Sequence, residues 1–210
     1  MPTRKRRNIG TNRYATREQR KIYIIGVEGE TEREYFSALV PNPRHVKVIV
    51  LQGKNPSAIG VQETVQDQLD SLKKGHQLRA GDEAWVVIDR DDGEKDDFIA
   101  AVYSWAAKHA NRFVALSSPF FEYWLLLHYE DPKGIASKKE CMQRLKHHNP
   151  AYRKGSANQL PLDGQQIVEA LNRAAPRFTN IPSSLSELRD VSGGFTTANF
   201  LVEKLLRECH

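Results

Sequence analysis

Residues 22–32 read IYIIGVEGETE. A short apolar run rich in β-branched side chains stops, and Glu28, Glu30 and Glu32 crowd around Gly29. A continuous apolar run of this length suits a strand buried on both faces. The acids that follow repel one another, so something must offset the cost. A helix N-terminus offsets part of it, and a bound divalent cation offsets more.

Downstream, ETEREYFSALV places Tyr35, Phe36, Leu39 and Val40 on one helical face, and PNPR ends that helix. HVKVIVLQG is a second strand, with Val46, Val48 and Val50 alternating. Residues 57–79 read as a long amphipathic helix. EAWVVIDRDD is a third strand that again ends in acids, and DDFIAAVYSWAAKHAN a third helix. RFVALSS is a fourth strand, and PFFEYWLLLHYED a fourth helix with Pro119 in its first turn. Strands and helices alternate four times, which predicts an α/β fold: a parallel sheet of about four strands flanked by helices. Such sheets bind ligands outside the carboxyl ends of their strands, where both acid clusters fall.

Beyond residue 131 the chain turns polar, basic and rich in Pro and Gly. Helices are expected near 137–147, 164–174 and 195–208, the last carrying Phe195, Phe200, Leu201, Leu205 and Leu206. The expected organisation is a basic tail over 1–21, a core over 22–130 and a helical region over 131–210 packed on it. The 210 residues suffice for one good core, and 40% hydrophobic with 27% charged residues is an ordinary globular balance. No stretch reaches the roughly 18 apolar residues of a membrane span. The N-terminus has no apolar signal region, so a cytoplasmic location is expected. Cys141 and Cys209 stand far apart without CxxC spacing, so neither a zinc site nor a disulfide framework is expected.

Net charge is +5, and much of the excess lies in residues 1–21, which hold Arg4, Lys5, Arg6, Arg7, Arg13, Arg17, Arg20 and Lys21 against Glu18 alone. Such a block is ordinarily solvated; it can also grip phosphates. Lys138, Lys139, Arg144, Lys146, His147 and His148, followed by Arg153 and Lys154, form a second basic stretch. It is either a solvated helix face or a guide for phosphate. His147 and His148 are adjacent and do not make a zinc pair on a helix.

Glu28 lies at the tip of the first strand, and Asp89 and Asp91 at the tip of the third. Residues two apart in an extended segment point the same way, so Asp89 and Asp91 can aim into one crevice. A lone acid after a strand is commonly a cap or a solvated turn residue, and Asp92-Gly93 reads as a turn. Acids at corresponding ends of two parallel strands are more specific, and their donor set suits Mg²⁺ (or Mn²⁺). Glu122 falls in the first turn of the fourth helix, either as a dipole partner or as an outer ligand at the same sheet edge. Trp124, Leu125, Leu126 and Leu127 read as core, and His128 as a packed or capping residue.

VEGETE followed by IDRDD resembles the Toprim signature, a glutamate after the first strand and a DxD after the third. The basic start RRNIGTNRYATREQRKIYIIGVEGETEREYF, then VVIDRDD, then LSSPFFEYWLLLHYED, resembles RloB-like proteins, which are similar to the second component of the AbiL abortive-infection system. SGGFTTANFLVEKL is similar to the family's closing helix. The resemblance implies a phage-defence or restriction-associated nuclease controlled by an ABC-type ATPase partner, RloA. Its site would use Glu28, Asp89 and Asp91, with Glu28 either metal ligand or general base. Glu32, one helical turn on, would face the same cation, and Asp92 would take a second ion or a metal-bound water. The chain is too short for a topoisomerase and lacks a primase's extra modules. The alternative is a non-catalytic Toprim-fold subunit that docks an ATPase and binds nucleic acid or nucleotide. A nucleotide-binding doubly wound domain ranks lower, because neither GxGxxG nor GxxxxGK[ST] occurs.

Overall fold

In the computed structural model of the chain, residues 20–41, 43–90, 96–135, 137–156, 160–189 and 191–209 are described. The opening run is strand β1 (Lys21–Val27). Its side chains serve two cores. Tyr23, Ile25 and Val27 enter one, and Ile22 and Ile24 enter the other. A strand covered on both faces is apolar at every position, which is why the run does not alternate.

The chain continues through α1 (Glu30–Leu39), β2 (Val46–Gln52), α2 (Ala58–Lys74), β3 (Glu83–Asp89), α3 (Asp96–Ala106) and β4 (Arg112–Ser118). Next come α4 (Glu122–Leu127), α5 (Lys138–His148), α6 (Gly164–Ala174), β5 (Phe195–Thr196) and α7 (Ala198–Cys209). The sheet order is β2-β1-β3-β4-β5. The first four strands are parallel and β5 runs antiparallel to β4. Helices α1, α4, α5, α6 and α7 supply the core on one face, including Phe36, Trp124, Leu145, Ile167 and Leu201. On the other face α2 and α3 supply Val61, Val65, Leu69, Ile99 and Val102. The α/β architecture expected from the alternation is present, with a helical C-terminal part.

Four local expectations change. Phe195 belongs to β5, paired with Ser118, and not to the last helix. Helix α2 stops at Lys74 because Gly75 caps it and His76 takes a left-handed φ of 53°. Helix α3 ends at Ala106, short of residue 111. Pro119 is not in the first turn of α4: it follows a cis peptide with Ser118 and stands before the helix, which starts at Glu122. Among the described residues, no helix is long and apolar enough to cross a membrane.

Candidate functional site

β1 and β3 are hydrogen-bonded neighbours, with Val27 level with Val87, so both strands end at one edge of the sheet. Glu28 leaves β1 there. The backbone N–H of Asp89 donates to Glu28 Oε2 at 3.3 Å, which ties the two strand ends together. Glu32 reaches the same place from the first turn of α1 and is buried. Its carboxylate folds back over the extended Gly29 that precedes the helix; a Cβ on Gly29 would stand 2.8 Å from Glu32 Oε2. The glycine among the acids is therefore there to admit a carboxylate. Glu30 is exposed on the rim and pairs with Arg33 at 3.3 Å.

Glu122 arrives from β4's side of the edge, at the start of α4, and is 2% exposed. Its Oε1 accepts from the Tyr152 hydroxyl at 3.1 Å and faces Lys154 Nζ at 3.2 Å. These acids line one crevice of about 310 Å³ together with Lys138 and Lys154. Both lysines lie against the ring of Phe120, at 5.5 and 4.9 Å. The turn that carries Lys154 is pinned to α1: Gly155 N–H donates to Thr31 Oγ1 at 3.2 Å. Gly155 has a φ of 71°, a left-handed backbone that favours glycine, and a Cβ there would come 2.7 Å from the exposed end of Glu30, which would have to swing aside.

Burial, with the charges of Glu122 and Glu28 added, pushes the Glu32 carboxyl up to about 7. The protein packed around Asp89, joined by the charges of Glu32, Glu28 and Glu122, holds it well above the ordinary aspartate range. Such a group of acids does not ionise fully at neutral pH unless a cation joins it. Among the described residues no three Asp, Glu, His or Cys side chains are already set to hold a metal ion. Mg²⁺ commonly uses one or two carboxylates and keeps several waters, so an open set of hard oxygens fits it. Glu28, Glu32 and Asp89 are the donors present, and Glu122 lines the same crevice with its carboxylate held by Tyr152 and Lys154.

The crevice thus brings together Glu28, Glu32, Asp89, Glu122 and Lys138 from the residues expected. Asp91, Asp92 and the tail residues Arg4, Lys5, Arg6 and Arg7 lie outside the described residues. Lys139 and Lys146 are exposed on α5. Arg144 is drawn away from any phosphate role, because its guanidinium bonds Glu130 at 2.6 Å and the Lys133 carbonyl at 3.0 Å. His128 is packed, as expected: it is buried, with Nδ1 2.9 Å from the Trp124 carbonyl and Nε2 3.2 Å from the Tyr35 hydroxyl. Sequence reasoning missed Thr31, Tyr152 and Gly155, and placed Lys154 only within a basic stretch. The one local signal was a glycine after paired cations, in Arg153-Lys154-Gly155.

A family model described as RloB-like protein matches residues 23–205. No curated protein and no solved structure matches the chain.

Proposed function

The chain belongs to the RloB-like family, and on that premise we propose that it is an Mg²⁺- or Mn²⁺-dependent nuclease that cleaves phosphodiester bonds in DNA or RNA. The observation that carries this reading is the crevice itself, where acids from the ends of β1 and β3 share a space of about 310 Å³ with two lysines. A metal site alone needs the acids; a phosphodiester also needs cations beside them.

Glu28, Glu32 and Asp89 would hold the ion, together with Asp91 and Asp92. When bound, the ion polarises a phosphoryl oxygen and lowers the pKa of an attacking water. Lys154 and Lys138, which line the same crevice, bind the substrate's phosphate. Glu122 holds Lys154 in place, and Tyr152 holds Glu122. Glu28 acts as a ligand or takes the proton from the attacking water. Control by an ABC-type ATPase and a place in phage defence belong to the same reading and are supported by the family resemblance alone.

The test is a cleavage screen over tRNA, plasmid and single-stranded DNA, with and without a neighbouring ATPase, in Mg²⁺, Mn²⁺ or EDTA. Cleavage should require the metal. Asp89→Asn should lower it by a factor on the order of 100 or more while the melting temperature holds, since loss of metal-held charge stabilisation is worth several kcal/mol. Undiminished cleavage by that variant would remove the site.

A further inference from the structure

Residues 152–156 belong to no helix or strand, so their position is set by what they are tied to. One tie comes from α1. Thr31 is buried in the first turn of that helix, between Glu30 and Glu32. Its Oγ1 accepts from the Gly155 N–H at 3.2 Å, a bond to a residue 124 positions away. The Thr31 hydroxyl donates in turn to the Tyr152 phenol oxygen. The Tyr152 hydroxyl donates to Glu122 Oε1 at 3.1 Å, and the same oxygen faces Lys154 Nζ at 3.2 Å. Lys154 precedes Gly155 in the chain, which closes the circuit. A threonine hydroxyl offers one donor and two acceptor lone pairs, so it can serve both neighbours at once.

The circuit matters because Lys154 is otherwise loosely held. Its side chain is 62% exposed, and a four-carbon stem is flexible. Its charge nevertheless reaches Glu32, where it opposes the upward shift of that carboxyl. An ion on Glu32 and the ammonium of Lys154 can grip one phosphate only at a fixed spacing, and small misplacements in such a pair are costly. The same turn of α1 carries Glu32 and, through Thr31, holds the loop of Lys154. A hydroxyl that only capped its helix would stay on that helix; this one leaves it for both partners.

We infer that Thr31 is a positioning residue: its hydroxyl, acting through Gly155 and Tyr152, sets Lys154 at the distance from the Glu32 carboxylate that a bridging phosphodiester requires. This role rests on the nuclease reading of the crevice. Thr31 fills it through other side chains and takes no part in the reaction itself.

The test compares Thr31→Val, which keeps the β-branched shape without the hydroxyl, with Thr31→Ser, which keeps the hydroxyl. Both are assayed as full chains on the nucleic acid that the wild type cleaves. Thr31→Val should raise KM roughly tenfold with kcat within about twofold, the signature of lost substrate binding. Thr31→Ser should restore KM. Mn²⁺ affinity, read by electron spin resonance, should match the wild type in both. Added to Lys154→Met, Thr31→Val should cost nothing further. Tyr152→Phe breaks the circuit at a second bond and should reproduce the KM rise, even where Thr31→Val fails to fold. Amide exchange read residue by residue needs no cleavage: Gly155 should exchange roughly tenfold faster in Thr31→Val, the loss of one hydrogen bond. KM unmoved in the variants that fold, no rescue by serine, a further loss beyond Lys154→Met, weakened Mn²⁺ binding or unchanged Gly155 exchange would each overturn the role. A wild type that cleaves nothing in any metal would instead remove the nuclease reading, and this role with it.

Discussion

Lys154 and His128 show how differently two polar residues near the same helix can act. Lys154 pairs with the buried Glu122, yet its own side chain is 62% exposed, so solvent screens the pair, and Glu122 keeps its hydrogen bond from Tyr152 when the lysine is removed. Lys154→Met should therefore hold its melting temperature within a few degrees. Its cleavage should fall on the order of tenfold to 100-fold, the loss of one charge-assisted contact to phosphate. An equal loss of folding and activity would make Lys154 structural only. His128 has the opposite balance. The Trp124 carbonyl can only accept, so Nδ1 carries the proton and Nε2 accepts from Tyr35. This neutral ring fits its site, and burial lowers its pKa to about 4, with nearby Arg173 lowering it further in part. The unfolded chain takes up that proton near 6.5, before the folded one does. The stability due to neutral His128 is thus complete above about pH 6.5 and is lost as pH falls towards 4, by about 3 kcal/mol in all. Urea unfolding should show a steeper loss from pH 7 to 4.5 in the wild type than in His128→Gln; parallel profiles would contradict it.

Elements meet closely where the site is built, and Gly26 marks the closest approach. A Cβ at Gly26 would sit 2.3 Å from Val65 Cγ2 and 3.0 Å from Val61 Cγ1 of α2. Val side chains in a helix have essentially one rotamer, so the helix and not the side chain must yield. Gly26→Ala should cost about 1–3 kcal/mol by urea unfolding. Adding Val65→Ala should recover part of that loss, and strict additivity would show that the clash is not the cause. The sequence made this neighbourhood legible because the signals are local. β1, β2 and β4 stand within a residue or so of their expected bounds, and β3 starts where expected and ends at Asp89, short of the expected Asp92, since each is an apolar run closed by polar residues. Glu28 and Asp89 followed directly from those strand ends. β5 was not legible: two residues, Phe195 and Thr196, cannot display a period, and only pairing with Ser117 and Ser118 defines them. Tyr152, Lys154 and Gly155 reach the crevice through contacts with Glu122 and Thr31 more than 25 residues distant, which no local pattern encodes.

At the scale of the molecule, those distant contacts mean that the crevice has two halves from two parts of the chain. Glu28, Glu32, Asp89 and Glu122 come from the first 130 residues; Lys138, Lys154 and Gly155 come from the rest. The same division runs through the core. Cys141, Leu145, Ile167, Leu201 and Leu205 are buried together with Tyr35, Phe121 and Trp124. At the far end of the sheet, Lys21 of β1 bonds both Glu83 of β3 and Glu208 of α7, at 2.9 and 2.7 Å, and Lys204 of α7 bonds Glu83 at 3.1 Å. β5 also covers part of the β4 edge, which would otherwise offer unpaired backbone groups. A chain ending at residue 130 would expose that edge and strip the cover from Trp124 and its neighbours, each large side chain losing about 1.5–3 kcal/mol of burial. Several such losses exceed the 5–15 kcal/mol that holds a typical domain folded. We therefore predict that residues 20–130 alone show no cooperative thermal transition and bind a hydrophobic dye, while the full chain unfolds in one sharp step. A sharp transition in the truncated chain would instead make α5, α6 and α7 an appendage, and would leave the acid edge of the sheet to work without Lys138 and Lys154.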